Sequence, residues 1–212
     1  MRCRFFFILI LSALVNKLAF AQPKVDLPAA FHQTLKEEIK PFFSISEGQI
    51  EDLSKGEVIS TGKVDSPTST EQQMNLFVSG IHPRNCTRAM RKLSLYENYH
   101  NYMDFIKTST YDEKTKKFSF VIEHALLPYD MVVAFKIPRI TKEGYYPFTF
   151  EDGFMKGLKG TVIVQEVGKF CLMGLKADWR GPESKIPNIV FGSFIQTVGR
   201  LGLEHLIRVS RF

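Results

Sequence analysis

Beyond residue 74 the hydrophobic positions change period in a fixed order, and that order predicts the architecture. Residues 74–82 read as a strand. Asn85 stands where it can cap a helix carrying Ala89, Met90, Leu93 and Leu95, which leads into the aromatic-rich stretch Tyr96, Tyr99, Tyr102 and Phe105. Alternating segments follow, each with one apolar face. In residues 118–126 that face holds Phe118, Phe120, Ile122, His124 and Leu126, with Ser119 and Glu123 opposite. Met131, Val133, Phe135 and Ile137 stand opposite Asp130 and Lys136, and Tyr146, Phe148 and Phe150 opposite Thr149 and Glu151. Residues 161–166 add Val162 and Val164, and the last segment sets Cys171, Met173, Leu175, Ala177 and Trp179 against Lys169, Lys176 and Asp178. One-sided strands of this kind predict a sheet with one buried concave face and one wet face.

A long helix opens near Pro187, a favoured first-turn residue, with Phe191, Phe194, Ile195, Val198, Leu201, Leu206 and Val209 as its apolar stripe. The predicted fold is therefore α+β, a curved antiparallel β-sheet wrapped around a long C-terminal α-helix, and such a shape encloses an apolar cavity. Gly192, Gly199 and Gly202 lie in that helix, and each costs about 1 kcal/mol relative to alanine. Close packing on the sheet and room for a ligand beside the helix are both open explanations.

Upstream, residues 28–43 place Phe31, Leu35, Ile39 and Phe42 at helical spacing among Lys36, Glu37, Glu38 and Lys40. Ser46 and Gln49 have the spacing of a capping box ahead of Ile50 and Leu53, which predicts a second short helix to about residue 54. Residues 22–55 thus form an N-terminal helical extension, either packed on the outside of the main domain or held out as a partner-binding arm. Residues 57–63 read as a strand and 65–73 as a loop.

The first 21 residues combine Arg2 and Arg4, an apolar run over residues 5–15 and a small-residue ending at Ala19 and Ala21. They read as a signal peptide cleaved after Ala21, predicting export into a periplasm. The apolar run is shorter than the roughly 20 residues of a bilayer span. Removing the segment takes Arg2, Arg4 and Lys17 with it and lowers the formal charge from +6 to +3. Half of the apparent basicity is therefore targeting signal. The remaining basic clusters, Arg84, Arg88, Arg91 and Lys92 and then Arg200, Arg208 and Arg211, lack nucleic-acid motif spacing and read as solvated helix faces, with anionic lipid headgroups as the functional alternative.

Candidate chemistry is sparse. The five histidines, at 32, 82, 100, 124 and 205, show no tight ligand spacing, so no metal site is expected, and neither nucleotide fingerprints nor a nucleophile elbow occur. No cofactor is expected. His124 is the one polar side chain that alternation sets on an apolar strand face. It reads as a hydrogen-bonded core residue, a donor to a ligand carbonyl, or an acid/base group. Tyr146 and Trp179 could turn a polar edge to a ligand. Cys86 and Cys171 are the cysteines of the mature chain, and an oxidising compartment permits a bridge between them without requiring one.

Residues 56–212 resemble the START-like superfamily, also called helix-grip or SRPBCC, in its polyketide cyclase and coenzyme Q-binding branch. The resemblance is carried by Leu95-Tyr96-Glu97-Asn98-Tyr99 with Tyr102 and Met103, by Gly157-Leu158-Lys159-Gly160-Thr161 ahead of a strand, and by Ile186-Pro187 opening the final helix. Leu95 stands where the family often has aspartate, and Asp104 where it often has proline.

The resemblance implies a hydrophobic cavity between sheet and helix, used elsewhere for lipids, sterols, quinones or polyketides. Mapped onto the apolar faces, the pocket would be lined by Phe120, Ile122, His124, Met131, Val133, Phe135, Tyr146, Phe148, Phe150, Met173, Trp179, Phe194 and Val198. It also implies that the first strand of the main sheet pairs with the last, bringing Cys86 toward Cys171. The expectation is an exported protein that binds or carries a hydrophobic small molecule, touching a membrane surface transiently and no nucleic acid. Two alternatives are a cyclase or aromatase-like enzyme using His124, and a protein-interaction module whose cavity is filled.

Overall fold

The computed structural model describes Leu27, Gln33, Leu35, Glu37 and residues 45–123, 130–153, 155–184 and 186–211. The expected signal segment, most of the first expected helix and His124 lie outside these residues.

Eight strands form one antiparallel sheet: β1 (Ile59–Asp65), β2 (Glu71–His82), β3 (Ile106–Asp112), β4 (Lys117–Ile122), β5 (Met131–Lys136), β6 (Gly144–Phe150), β7 (Lys159–Val167) and β8 (Phe170–Pro182). Their spatial order is β1-β2-β8-β7-β6-β5-β4-β3. The first long strand, β2, pairs with the last, β8, from Glu71 opposite Pro182 to His82 opposite Cys171. Three α-helices complete the described fold: α1 (Glu47–Ser54), α2 (Cys86–Leu93) and α3 (Asn188–Val209), with a 3-10 turn at Tyr96–Asn101.

Local sequence fixes the helix starts. Ser46 and Gln49 form the expected capping box on α1, and Asn85 Oδ1 accepts from Arg88 N at the start of α2. The start of α3 is tied down differently. Gln72, fully buried on β2, donates through Nε2 to Ile186 O and to Asn188 Oδ1, and accepts from Ser184 Oγ.

β3 was not expected from the sequence. Its run of Lys107, Thr108, Ser109 and Thr110 shows no apolar alternation because it is an edge strand, paired only with β4 and broken by a register shift after Ile106. The expected wet outer face is found except where the N-terminal extension covers it. Across β3–β6 it carries ion pairs: Lys107 meets Glu123 and Asp130, and Glu151 sits between Lys117 and Lys136, which face one another across β4 and β5. Across β1, β2, β7 and β8 one end of it is apolar, where Ile59, Ile81, Ile163 and Leu172 are buried under Ile50 and Leu53 of α1 and under Leu35, while Thr61, Lys63, Asn75, Lys176 and Asp178 are exposed toward the other end. The N-terminal extension therefore packs on the domain at these residues. A fully buried leucine is not a side chain held out for a partner.

On the concave side α3 lies over β1 and β2 and closes the main core. Close approach demands missing side chains here. A Cβ on Gly80 would come within 2.9 Å of Ile207 and Val58, and one on Gly199 within 2.7 Å of Val78.

Candidate functional site

The concave face of β4, β5 and β6 is an aromatic floor. Phe118 lies 5.2 Å from Phe120 and 5.1 Å from Phe135, centroid to centroid. Phe135 stacks on Phe150 at 5.1 Å, and Phe148 joins both at 6.1–6.2 Å. Behind them Tyr96 stacks on Phe118, and Tyr99 and Tyr111 meet Tyr96 edge-on. Such offset and edge contacts satisfy the ring quadrupoles and hold the floor rigid.

The polar edges of this floor are turned to the backbone. Tyr96 Oη donates to Pro138 O and accepts from Ile140 N; Tyr99 Oη donates to Leu93 O, Tyr111 Oη to Ile137 O, and Tyr146 Oη to Lys142 O. Burial pushes the Tyr96 and Tyr99 hydroxyls far above the ordinary phenol range, so they remain protonated donors. Trp179 Nε1 donates to Lys156 O, while its ring meets Phe191 at the start of α3. Tyr146 and Trp179 thus use their polar ends to fix the loops before β6 and before β7. Both donors are therefore occupied, contrary to the sequence expectation for Trp179, while the Tyr146 oxygen keeps its acceptor lone pairs.

Arg139 clamps the loop between β5 and β6 from outside. It pairs with Glu97 and Glu113, donates to Ser94 O, and lies 4.5 Å from the Tyr111 ring centroid.

Of the expected pocket residues, the structure brings together Phe120, Phe135, Tyr146, Phe148, Phe150 and Met173, all packed in or against the main core. Trp179 is buried at one end with Phe191, and Val133 is half-buried on the central strand β5. Ile122 and Met131 occupy β4 and β5 opposite one another, as the alternation requires. Phe194 and Val198 do not join the floor. They lie on the flank of α3 turned away from β1 and β2 and are 50% and 52% exposed, one helical step from the buried Ile195 and from Gly199.

The buried side of α3 runs through Phe191, Gly192, Ile195 and Ile207, with Leu203, Leu206 and Val209 partly buried beside it. Nothing lies within 4 Å of where a Cβ on Gly202 would stand. Leu175, Val162, Leu206, Phe120, Phe135 and Phe150 are only partly buried although they pack against the main core. The open space beside Gly202 was half legible: its three helical glycines flagged a need for room, but not which one had it. A separate hollow of about 340 Å³ lies on the sheet among Thr61, Lys63, Asn75, Phe77, Lys176 and Asp178, alternating positions of the outer face, and is not this space.

Cys86 and Cys171 form a disulfide, with Cα atoms 4.6 Å apart, that ties the first turn of α2 to β8. Glu166 Oε2 accepts from Cys86 N at 2.8 Å. His82, opposite Cys171, is fully buried; its Nδ1 accepts from Arg84 N, and burial holds its pKa below the ordinary value. Among the described residues no group of three or more His, Cys, Asp and Glu side chains could hold a metal ion. No described helix is long and apolar enough to cross a membrane.

A curved antiparallel sheet closed by one long C-terminal helix over an aromatic floor defines a helix-grip protein. Comparison with solved structures agrees. The chain is similar to the di-domain aromatase/cyclase StfQ of the steffimycin biosynthetic pathway, with TM-score 0.53 and 7% identity over 88% of this chain and 60% of that one. It is similar to the Zhui aromatase/cyclase of Streptomyces sp. R1128, at 0.51 and 8% over 65% and 92%. It is also similar to Ara h 8.0201, at 0.50 and 9% over 65% and 97%. No protein-family profile and no curated protein matches the sequence. The chain has the START-like fold.

Proposed function

We propose that this is an exported START-like protein that binds or carries a hydrophobic small molecule, of lipid, quinone or sterol-like character, between its sheet and α3. The observation that carries the reading is the aromatic concave face of β4, β5 and β6, where Phe120, Phe135 and Phe150, with Leu206 of α3, stay only partly buried although they pack against the main core. The donors of the floor are committed to backbone carbonyls, so the remaining surface suits an apolar occupant. Its affinity would come from buried area, at roughly 25 cal/mol per Å².

Native mass spectrometry of protein taken from its own exported fraction, followed by organic extraction, tests the reading. A hydrophobic molecule at near one-to-one stoichiometry supports it. An empty protein that also takes up no lipid or quinone probe refutes it.

The second reading is an enzyme, favoured by the two neighbours named as aromatase/cyclases. His124 is its acid/base candidate. An enzyme would lose turnover and keep binding in His124→Ala, whereas a carrier would have no turnover to lose.

A further inference from the structure

Two basic clusters far apart in the sequence meet at one end of the fold. α2 buries Cys86, Ala89, Met90 and Leu93 and turns Arg88 and Arg91 outward, with Arg84 just before it. Lys92 lies 4.9 Å above the Tyr102 ring, whose backbone oxygen accepts from His205 Nε2 on α3, and Arg208 reaches His205 Nδ1. Tyr102 thus links the end of α2 to the C-terminal part of α3. Arg84, Arg88, Arg91, Lys92 and Arg208 have no carboxylate partner among the described residues. The acidic residues at this end are Asp104, beside the half-exposed Phe105 that packs on His205, Glu204, one turn before Arg208 and paired with Arg200, and Glu166, which accepts from Cys86 N.

A favourable helix dipole accounts for Arg91 and Lys92 in the last turn of α2. It does not account for Arg88, which stands one turn from both Arg91 and Lys92, a like-charge arrangement that weakens a helix; at the first turn the Glu166 carboxylate, which accepts from Cys86 N, offsets part of the charge.

The same flank of α3 that ends in Arg208 carries Val190, Phe194 and Val198 at one-turn intervals, exposed by 42%, 50% and 52%. Apolar side chains along a helix flank and cations at its end match the layers of a lipid surface, acyl boundary and headgroup. A nucleic acid or an acidic protein would use the cations and leave the apolar half in water.

We propose that this flank of α3, together with the outer face of α2, is a docking surface for an anionic phospholipid bilayer. The inference rests on the carrier reading for its purpose, since a hydrophobic cargo is collected from or delivered to a lipid phase. It stands or falls separately by experiment.

The test is co-sedimentation of the full chain with vesicles of phosphatidylcholine alone and of phosphatidylcholine with phosphatidylglycerol, with ligand occupancy followed in parallel by native mass spectrometry. Binding is expected only to the anionic vesicles and should weaken with added salt. Each cation removed should reduce it roughly fivefold, so Arg88→Ala with Arg91→Ala should lose roughly 25-fold, with ligand occupancy and circular dichroism unchanged. Phe194→Ser should weaken vesicle binding without changing its salt dependence. The proposal is overturned if neutral and anionic vesicles bind equally or not at all, or if binding to heparin matches that to vesicles and ignores Phe194→Ser. A loaded protein that ignores vesicles defeats this proposal alone; an empty one that binds them defeats the carrier reading alone.

Discussion

Gly199 and Gly202 are one helical step apart and chemically identical, yet the structure gives substitutions at them opposite signs. An alanine in a helix interior is favoured over glycine by about 1 kcal/mol. At Gly202 nothing opposes that gain, because no atom lies within 4 Å of the new Cβ. Gly202→Ala should stabilise the protein by about 1 kcal/mol, or about 2–4 °C in a chain of this size.

At Gly199 the Cβ would stand 2.7 Å from Val78 Cγ2 and 3.6 Å from both Leu76 methyls. Val78 is buried on β2, between β1 and β8, and its branched side chain has little freedom to turn aside. Overpacking of this kind costs about 1–3 kcal/mol, so Gly199→Ala should be neutral to about 2 kcal/mol destabilised after the helix gain. Urea unfolding followed by the fluorescence of Trp179, the only tryptophan, separates the two variants. Gly202→Leu extends the experiment: leucine keeps the helix propensity and pushes a side chain into the space, so ligand occupancy should fall while the fold persists. Equal destabilisation by Gly199→Ala and Gly202→Ala, or full occupancy in Gly202→Leu, would refute the reasoning that the space is real and is the site.

Leu35→Ala should cost about 2–5 kcal/mol in the same assay, because Leu35 is fully buried against Ile81 and Leu172, while an arm held out for a partner would lose almost nothing. Reducing Cys86–Cys171, whose loop spans 85 residues, should cost about 4 kcal/mol by loop entropy, read as a drop in urea midpoint with dithiothreitol; an unchanged midpoint refutes a bridging role. His82 is held neutral by burial, so the unfolded chain binds more protons than the native one below the ordinary value of about 6.5. Its contribution is complete above that pH and is lost as pH falls toward the lowered native value. His82→Gln should flatten the dependence of melting temperature on pH in that window, and a slope that survives would assign it to other groups.

Alternation made β4 through β8 legible because each has one side chain set facing the core, and the caps at Ser46 and Asn85 were legible because their hydrogen bonds are local. β3 was hidden by the same logic. Ser109 is buried there by bonds to Glu97 O, His100 N and the His100 ring, a tertiary solution for a polar residue that no period announces. The double-sided burial of β7 and β8 was equally hidden, since outward Ile163 and Leu172 acquire meaning only once Leu35 and α1 lie over them. The candidate site divides in the same way. Its aromatic floor could be listed from strand parity, whereas the fate of each polar edge could not, because Lys142 O and Lys156 O reach Tyr146 and Trp179 through loops.

The helix shows where sequence reading ends for a physical reason. Its apolar stripe is wider than one buried face needs, and the period alone assigns Phe194 and Val198 to the core with Phe191 and Ile195. Packing on two strands rather than across the whole sheet leaves them on the outer flank, half exposed. The same offset toward β1 and β2 that crowds Gly199 leaves room beside Gly202, so the open position and the exposed apolar flank have one cause. A helix centred on the sheet would have buried Phe194 and Val198. Val198, Gly202 and Leu206 follow one another at one-turn intervals, so the open position and the exposed apolar flank adjoin along one row of α3, and a substitution that recentres α3 should alter both together.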